Sequence, residues 1–136
     1  MRISSGLARA KRIPPPKILP ETHLAAGQLL ESQGAVNKAI IQYQRAVLLN
    51  HDYVAAYHRL GTLLGRNGRH GQAIRALERA VELKPHHPVL RNNLGFQYAL
   101  MERWDKADEH LSAAIRLDPM FERAHINLGL VLAKMG

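Results

Sequence analysis

Eight histidines are the residues of this chain best suited to chemistry. His86 and His87 stand side by side, and His51 occupies the equivalent loop upstream, so stacked elements would bring the three close together. A zinc ion needs three or four ligands fixed in a tetrahedron and braced by further partners. No H-x3-H, HExxH or histidine–carboxylate set on one helix face provides that, and these histidines are expected as exposed loop residues with no metal. The hydroxyls of Ser32, Thr62 and Ser112 have no histidine and acid arranged beside them to activate a nucleophile. Residues 65–71, Gly-Arg-Asn-Gly-Arg-His-Gly, are glycine-rich, but no strand precedes them as a phosphate loop requires, and a tight turn accounts for the glycine at 68. The absence of cysteine excludes thiol catalysis, cysteine-ligated zinc and disulfides. The expectation is a protein without catalytic residues, metal or cofactor, and therefore not an enzyme.

The elements that would position side chains are unusually legible, because landmarks recur every 34 residues. Gly27, Gly61, Gly95 and Gly129 form one such series; Ala39, Ala73 and Ala107 form a second, and Ala46, Ala80 and Ala114 a third. Leu49, Leu83 and Leu117 follow the same step, as do Pro85 and Pro119. Within one period Tyr57, Leu60, Gly61 and Leu64 fall on one helical stripe, and Ala73, Ile74, Leu77, Ala80 and Val81 fall on another, with Gly68 between them. The pattern predicts helix–turn–helix hairpins that hide their apolar stripes against each other and against neighbouring hairpins. Small residues belong where paired helices approach most closely, so a large side chain at Gly61 or Gly95 should overpack. Asn37, Gly71 and Asp105 share one repeat position and are of the N-capping type, which places the starts of the second helices there. Pro85 and Pro119 lack an amide hydrogen and end the helices before them. The units expected are 1–19 as a leader, three whole repeats at 20–53, 54–87 and 88–121, and 122–136 as the first helix of a fourth repeat or a closing helix.

Leu94, Gly95, Tyr98, Ala107, Leu111, Ala114 and Pro119, with Trp104 near the turn, resemble the tetratricopeptide repeat. The resemblance covers residues 20–136 and implies an all-α, right-handed superhelix of antiparallel helix pairs, about 3.5 repeats long. Tyr98 and Trp104 then fall on packing positions rather than on platforms for stacked bases. In this family the first helix of each repeat lines a concave surface that binds partner segments. Carried over residue by residue, that surface comprises His58, Arg59, Thr62 and Arg66 of the second repeat, and Val89, Asn92, Asn93, Phe96, Ala99 and Leu100 of the third. The fourth adds Arg123, Ile126, Asn127, Leu130 and Lys134. Asn93-Leu94-Gly95 and Asn127-Leu128-Gly129 are similar to the superhelical arm of O-linked N-acetylglucosamine transferase, whose asparagines hold a peptide backbone. Of the carboxylate clamp of co-chaperone members only Asn93 matches directly, so the clamp is not carried over. The resemblance implies a non-catalytic scaffold that binds a partner's peptide in the groove; the alternative is the substrate-recruiting arm of a longer enzyme such as a glycosyltransferase.

Net charge is +8, and five of those charges, Arg2, Arg9, Lys11, Arg12 and Lys17, lie in the acid-free leader. The repeats therefore carry about +3, too little to argue for nucleic acid. The leader, with Pro14-Pro15-Pro16, suits an extended arm; an organelle transit peptide and a phosphate-binding arm are its other readings, and the compartment stays open, with the cytoplasm first. No run is apolar and long enough to span a membrane. A groove with arginines around Phe96 and Leu130 calls for a ligand bearing an apolar anchor beside acidic residues, and the apolar helix at 122–136 calls for self-association.

Overall fold

A computed structural model describes residues 13–136. These fold into seven helices and no strand: α1 (Pro20–Ser32), α2 (Val36–Leu49), α3 (Val54–Arg66), α4 (His70–Leu83), α5 (Pro88–Leu100), α6 (Trp104–Leu117) and α7 (Glu122–Met135). α1 pairs with α2, α3 with α4 and α5 with α6, while α7 packs on α6 and reaches α5. The architecture is an all-α solenoid of antiparallel hairpins, and no described helix is long and apolar enough to cross a membrane.

Each hairpin closes around its repeating glycine. A β-carbon on Gly61 would lie 2.6 Å from Leu77 Cγ, and one on Gly95 2.7 Å from Leu111 Cγ. Gly27 faces the ring of Tyr43 in the same way. The contacts propagate into two buried clusters, one around Leu77, Leu90, Leu94, Tyr98 and Leu111, the other around Ile40, Tyr43, Leu60, Leu63 and Leu64. Burial of these apolar stripes between hairpins, which neither helix of a pair achieves alone, is the main driving force for the fold.

The second helices begin earlier than expected. Their N-caps are Ala35, Arg69 and Arg103, none with a side-chain cap, and Asn37, Gly71 and Asp105 sit inside the first turn. The hairpin backbone sets the boundary: the amides of Ala35, Arg69 and Arg103 each donate at 2.9 Å to the carbonyls of Leu30, Leu64 and Tyr98. Closing that loop puts the preceding residue in the left-handed region, as at Gly34 (φ 77°) and Gly68 (φ 78°). The third turn has Glu102 in that place, at φ 58°. Glycine removes the steric cost there, so Glu102→Gly is expected to raise stability by about 1 kcal/mol, read as a higher urea midpoint at unchanged slope. Downstream, Asn50 and Asp118 end their helices and accept the amides of Asp52 (3.0 Å) and Met120 (3.2 Å), and Pro85 and Pro119 follow the last helical turns as expected.

Candidate peptide-binding groove

The first helices α1, α3, α5 and α7 present one surface. At its centre Thr62, Gly65 and Arg66 of α3, Asn93, Phe96, Gln97 and Leu100 of α5 and Arg123 and Asn127 of α7 surround a groove of about 430 Å³, with Leu77 and Asn92 also lining it. An adjoining concavity of about 310 Å³ is lined by Glu31, His58, Arg59, Thr62 and Arg66. Thr62 and Arg66 border both, which makes the two hollows one continuous face.

The chemistry of this face is cationic and amide-rich around an apolar patch. Phe96 is 40% exposed and Leu100 45%. Arg66 reaches Glu31 at 3.5 Å, an exposed pair of the kind that contributes little and yields easily to a better partner. Arg123 makes no ion pair among the described residues. The Gln28 amide, with its oxygen turned to Arg59, accepts from Nε and Nη2 at 3.1 and 3.0 Å. The amides are joined across helices: Asn127 Nδ2 donates to Asn92 Oδ1 at 3.0 Å, and Asn93 Nδ2 donates to His58 Nε2 at 3.0 Å. Among the described residues there is no cluster of metal-ligating side chains.

Family comparison decides the fold's affiliation. The model described as TPR repeat matches residues 27–68 and 97–136, and that described as Tetratricopeptide repeat matches 54–87. The chain belongs to the tetratricopeptide-repeat (TPR) family. Among solved structures, the crystal structure of MamA superposes with a TM-score of 0.82 at 29% identity, over 99% of this chain and 76% of MamA. YrrB, described as a TPR protein with an unusual peptide-binding site, gives a TM-score of 0.73 at 28% identity, over 79% of this chain and 56% of its own. The Thermobaculum terrenum O-GlcNAc transferase gives 0.73 at 28% identity, over 83% of this chain but 22% of the transferase. No curated protein matches the chain.

The TPR frame distributes the expected residues unevenly. Thr62, Arg66, Asn92, Asn93, Phe96, Arg123 and Asn127 line the main groove, and His58 and Arg59 the adjoining hollow. Asn92 is nevertheless only 1% exposed. Val89, Ile126 and Leu130 are exposed at 37%, 57% and 63% but line neither hollow. Lys134 lines a separate depression with Glu102, Arg103 and Trp104. Arg91, although it lies on the first helix α5, turns away from the groove: its guanidinium donates to the Pro85 carbonyl at 2.9 Å and to His110 Nδ1 at 3.1 Å. Gln97 and Gly65 were not foreseen in the groove. Gln97 stands where the neighbouring repeats carry Leu63 and Val131, and this polar residue in an apolar series was the available signal. His70 Nδ1 holds its Oε1 at 2.8 Å, and its amide lies against Gly65, where a β-carbon would collide with it.

Two histidines are held below their ordinary pKa by the TPR packing. Burial, followed by the charges of His87 and Arg59, holds His58 below its ordinary pKa. Burial likewise lowers His110, which stacks on Tyr98 with centroids 5.6 Å apart and rings within 7° of parallel. Tyr98 in turn donates to Glu78, and burial together with that carboxylate pushes its pKa up to about 12. A lowered histidine pKa means that the unfolded chain takes up protons first as the pH falls. The contribution of both rings is therefore complete above about pH 6.5 and is lost as the pH drops from there through the folded-state values. Thermal unfolding should show a midpoint that is flat above about pH 7 and falls on acidification, with the slope reduced in a His58→Gln/His110→Gln variant.

Proposed function

We propose that this protein is a non-catalytic interaction scaffold whose concave TPR face binds a peptide segment of a partner protein. The observation that carries this reading is the juxtaposition of a half-exposed Phe96 with Arg66 and Arg123 and an asparagine pair in one groove. An aromatic lining a hollow anchors an apolar side chain, the guanidinium groups attract acidic neighbours, and an asparagine amide both donates to and accepts from a peptide unit. YrrB's description as a peptide-binding TPR protein supports it further. The transferase match favours a second reading, a recruiting arm of a larger enzyme, and in that case the same face would hold the substrate segment.

Screening a library of short synthetic peptides should select sequences with an apolar residue flanked by aspartate or glutamate. Binding should vanish in an Asn93→Ala/Phe96→Ala/Asn127→Ala variant that retains its helical circular dichroism. Peptides that bind this variant as tightly as the parent chain would move the site to the convex face or the leader.

Self-association belongs to the same proposal. Gly129 has open space where its counterparts meet a second helix, and Leu130 and Leu132 are 63% and 49% exposed. Two copies joined through 122–136 would cover this stripe. Light scattering at about 100 µM, where contacts of roughly −5.5 kcal/mol become visible, should show a species larger than one chain.

A further inference from the structure

Four side chains across three first helices form a single directed row. Asn127 Nδ2 donates to Asn92 Oδ1 at 3.0 Å, Asn92 Nδ2 to Asn93 Oδ1 at 3.4 Å, and Asn93 Nδ2 to His58 Nε2 at 3.0 Å. Every amide points its donor the same way, towards the histidine. Such a row is set by its ends, because an asparagine amide offers an oxygen on one side and an NH2 on the other and serves either direction after a half-turn. Here the terminal acceptor is a ring nitrogen, which requires a neutral imidazole with its proton on Nδ1. Asn127, at the other end, spends a donor on the row and keeps its oxygen for the groove.

We infer that His58 is a specificity-determining residue whose protonation reverses this row and changes what Asn127 presents to a ligand. A histidine charged on both nitrogens has no lone pair for Asn93. The row is satisfied again only if each amide turns: His58 Nε2–H donates to Asn93 Oδ1, Asn93 Nδ2 to Asn92 Oδ1, and Asn92 Nδ2 to Asn127 Oδ1. Asn127 then turns its NH2 to the groove, beside Arg123 and Arg66. With His58 neutral, Asn127 turns its oxygen to the groove and suits a peptide N–H; with His58 charged, it turns its NH2 there and suits a carboxylate.

The coupling is enforced by burial. Asn92, the middle of the row, is 1% exposed and has no water to turn to, and no buried side-chain polar atom among the described residues lacks a partner. The charged and titratable groups around His58 are known. Arg59 and Arg66 share its helix, Glu31 faces it from α1, and His87 stands ahead of α5. Arg59 and His87 oppose its protonation. Glu31 is engaged by the Tyr43 hydroxyl at 2.6 Å and by Arg66.

The ligand consequence rests on the groove reading above, but the reversal itself is measurable in the free full-length chain. In a ¹⁵N-labelled sample titrated by NMR from about pH 8 to about pH 5, the side-chain amides of Asn93, Asn92 and Asn127 should shift together with the His58 ring, at one midpoint below about 6.5. His58→Gln should abolish all three amide titrations. Asn92→Ala should leave Asn93 titrating and Asn127 still, whereas His87→Asn should raise the midpoint and keep all three coupled. An Asn127 amide that stays fixed while His58 titrates, or that titrates in His58→Gln, overturns the inference. No partner is present in these measurements, so a failed peptide screen cannot mimic either result.

Discussion

Gly95→Ala lowers the stability of the chain by about 1–3 kcal/mol, whereas the same change at Gly129, the equivalent position one repeat later, raises it by up to about 1 kcal/mol. The opposite signs follow from what each missing β-carbon would meet. At Gly95 it lands 2.7 Å from Leu111 Cγ and 3.1 Å from the Leu111 amide nitrogen, both inside α6, so the whole helix must back away. Leu111 is fully buried, and its retreat would loosen the cluster that holds Leu90, Leu94 and Tyr98. Nothing lies within 4 Å at Gly129, and the residue is an exposed glycine within α7. Alanine there loses less backbone freedom on folding and meets no obstacle. Urea unfolding of the two variants reads the difference directly as midpoints on either side of the parent value. Equal effects at the two positions would mean that helix propensity, rather than the α5–α6 contact, governs the glycine series.

Phe96→Ala weakens the binding of a selected peptide by about 1–3 kcal/mol, which is roughly 5- to 150-fold in Kd, through faster dissociation. The ring is 40% exposed in a groove bordered by Thr62, Arg66 and Leu100, so a ligand can bury most of what remains. Arg123→Glu acts differently. Its guanidinium has no acid of its own among the described residues, and reversing its charge should slow association and flatten the salt dependence more than it changes dissociation. Stopped-flow traces at two ionic strengths separate the two effects. A Phe96→Ala variant with unchanged dissociation would remove the ring from the anchor role.

The groove was legible in unequal parts, and the reasons are geometric. Asn93, Phe96, Arg123 and Asn127 were assigned to one face by the positions that the tetratricopeptide resemblance carries over, and all four line the groove. Periodicity does not say how far a long side chain travels. Arg91 sits on a first helix yet reaches to Pro85 and His110 on the other side. Nor does it say which neighbour stands across the gap: Glu31, Gly65 and Leu77 entered the lining only when helices came together. The second-helix starts were misplaced for a related reason, since the turn's own amide-to-carbonyl bonds, not a capping side chain, set them.

Sequence alone determined the helix–turn–helix architecture, because a single spacing governs the glycines, alanines and leucines that must meet, and contacts between adjacent hairpins repeat with the chain. It also determined that none of these 136 residues carries a thiol, since there is no cysteine. Only the tertiary structure decided that Asn92 is buried while Ile126, at the equivalent position, is 57% exposed. It alone joined His58 to Asn93 and Asn92 to Asn127 across neighbouring first helices, each pair 35 residues apart. The reason is that burial and hydrogen-bond partnership at a repeat position depend on what the next hairpin places opposite it, and a periodic pattern is silent about that wherever the repeats differ.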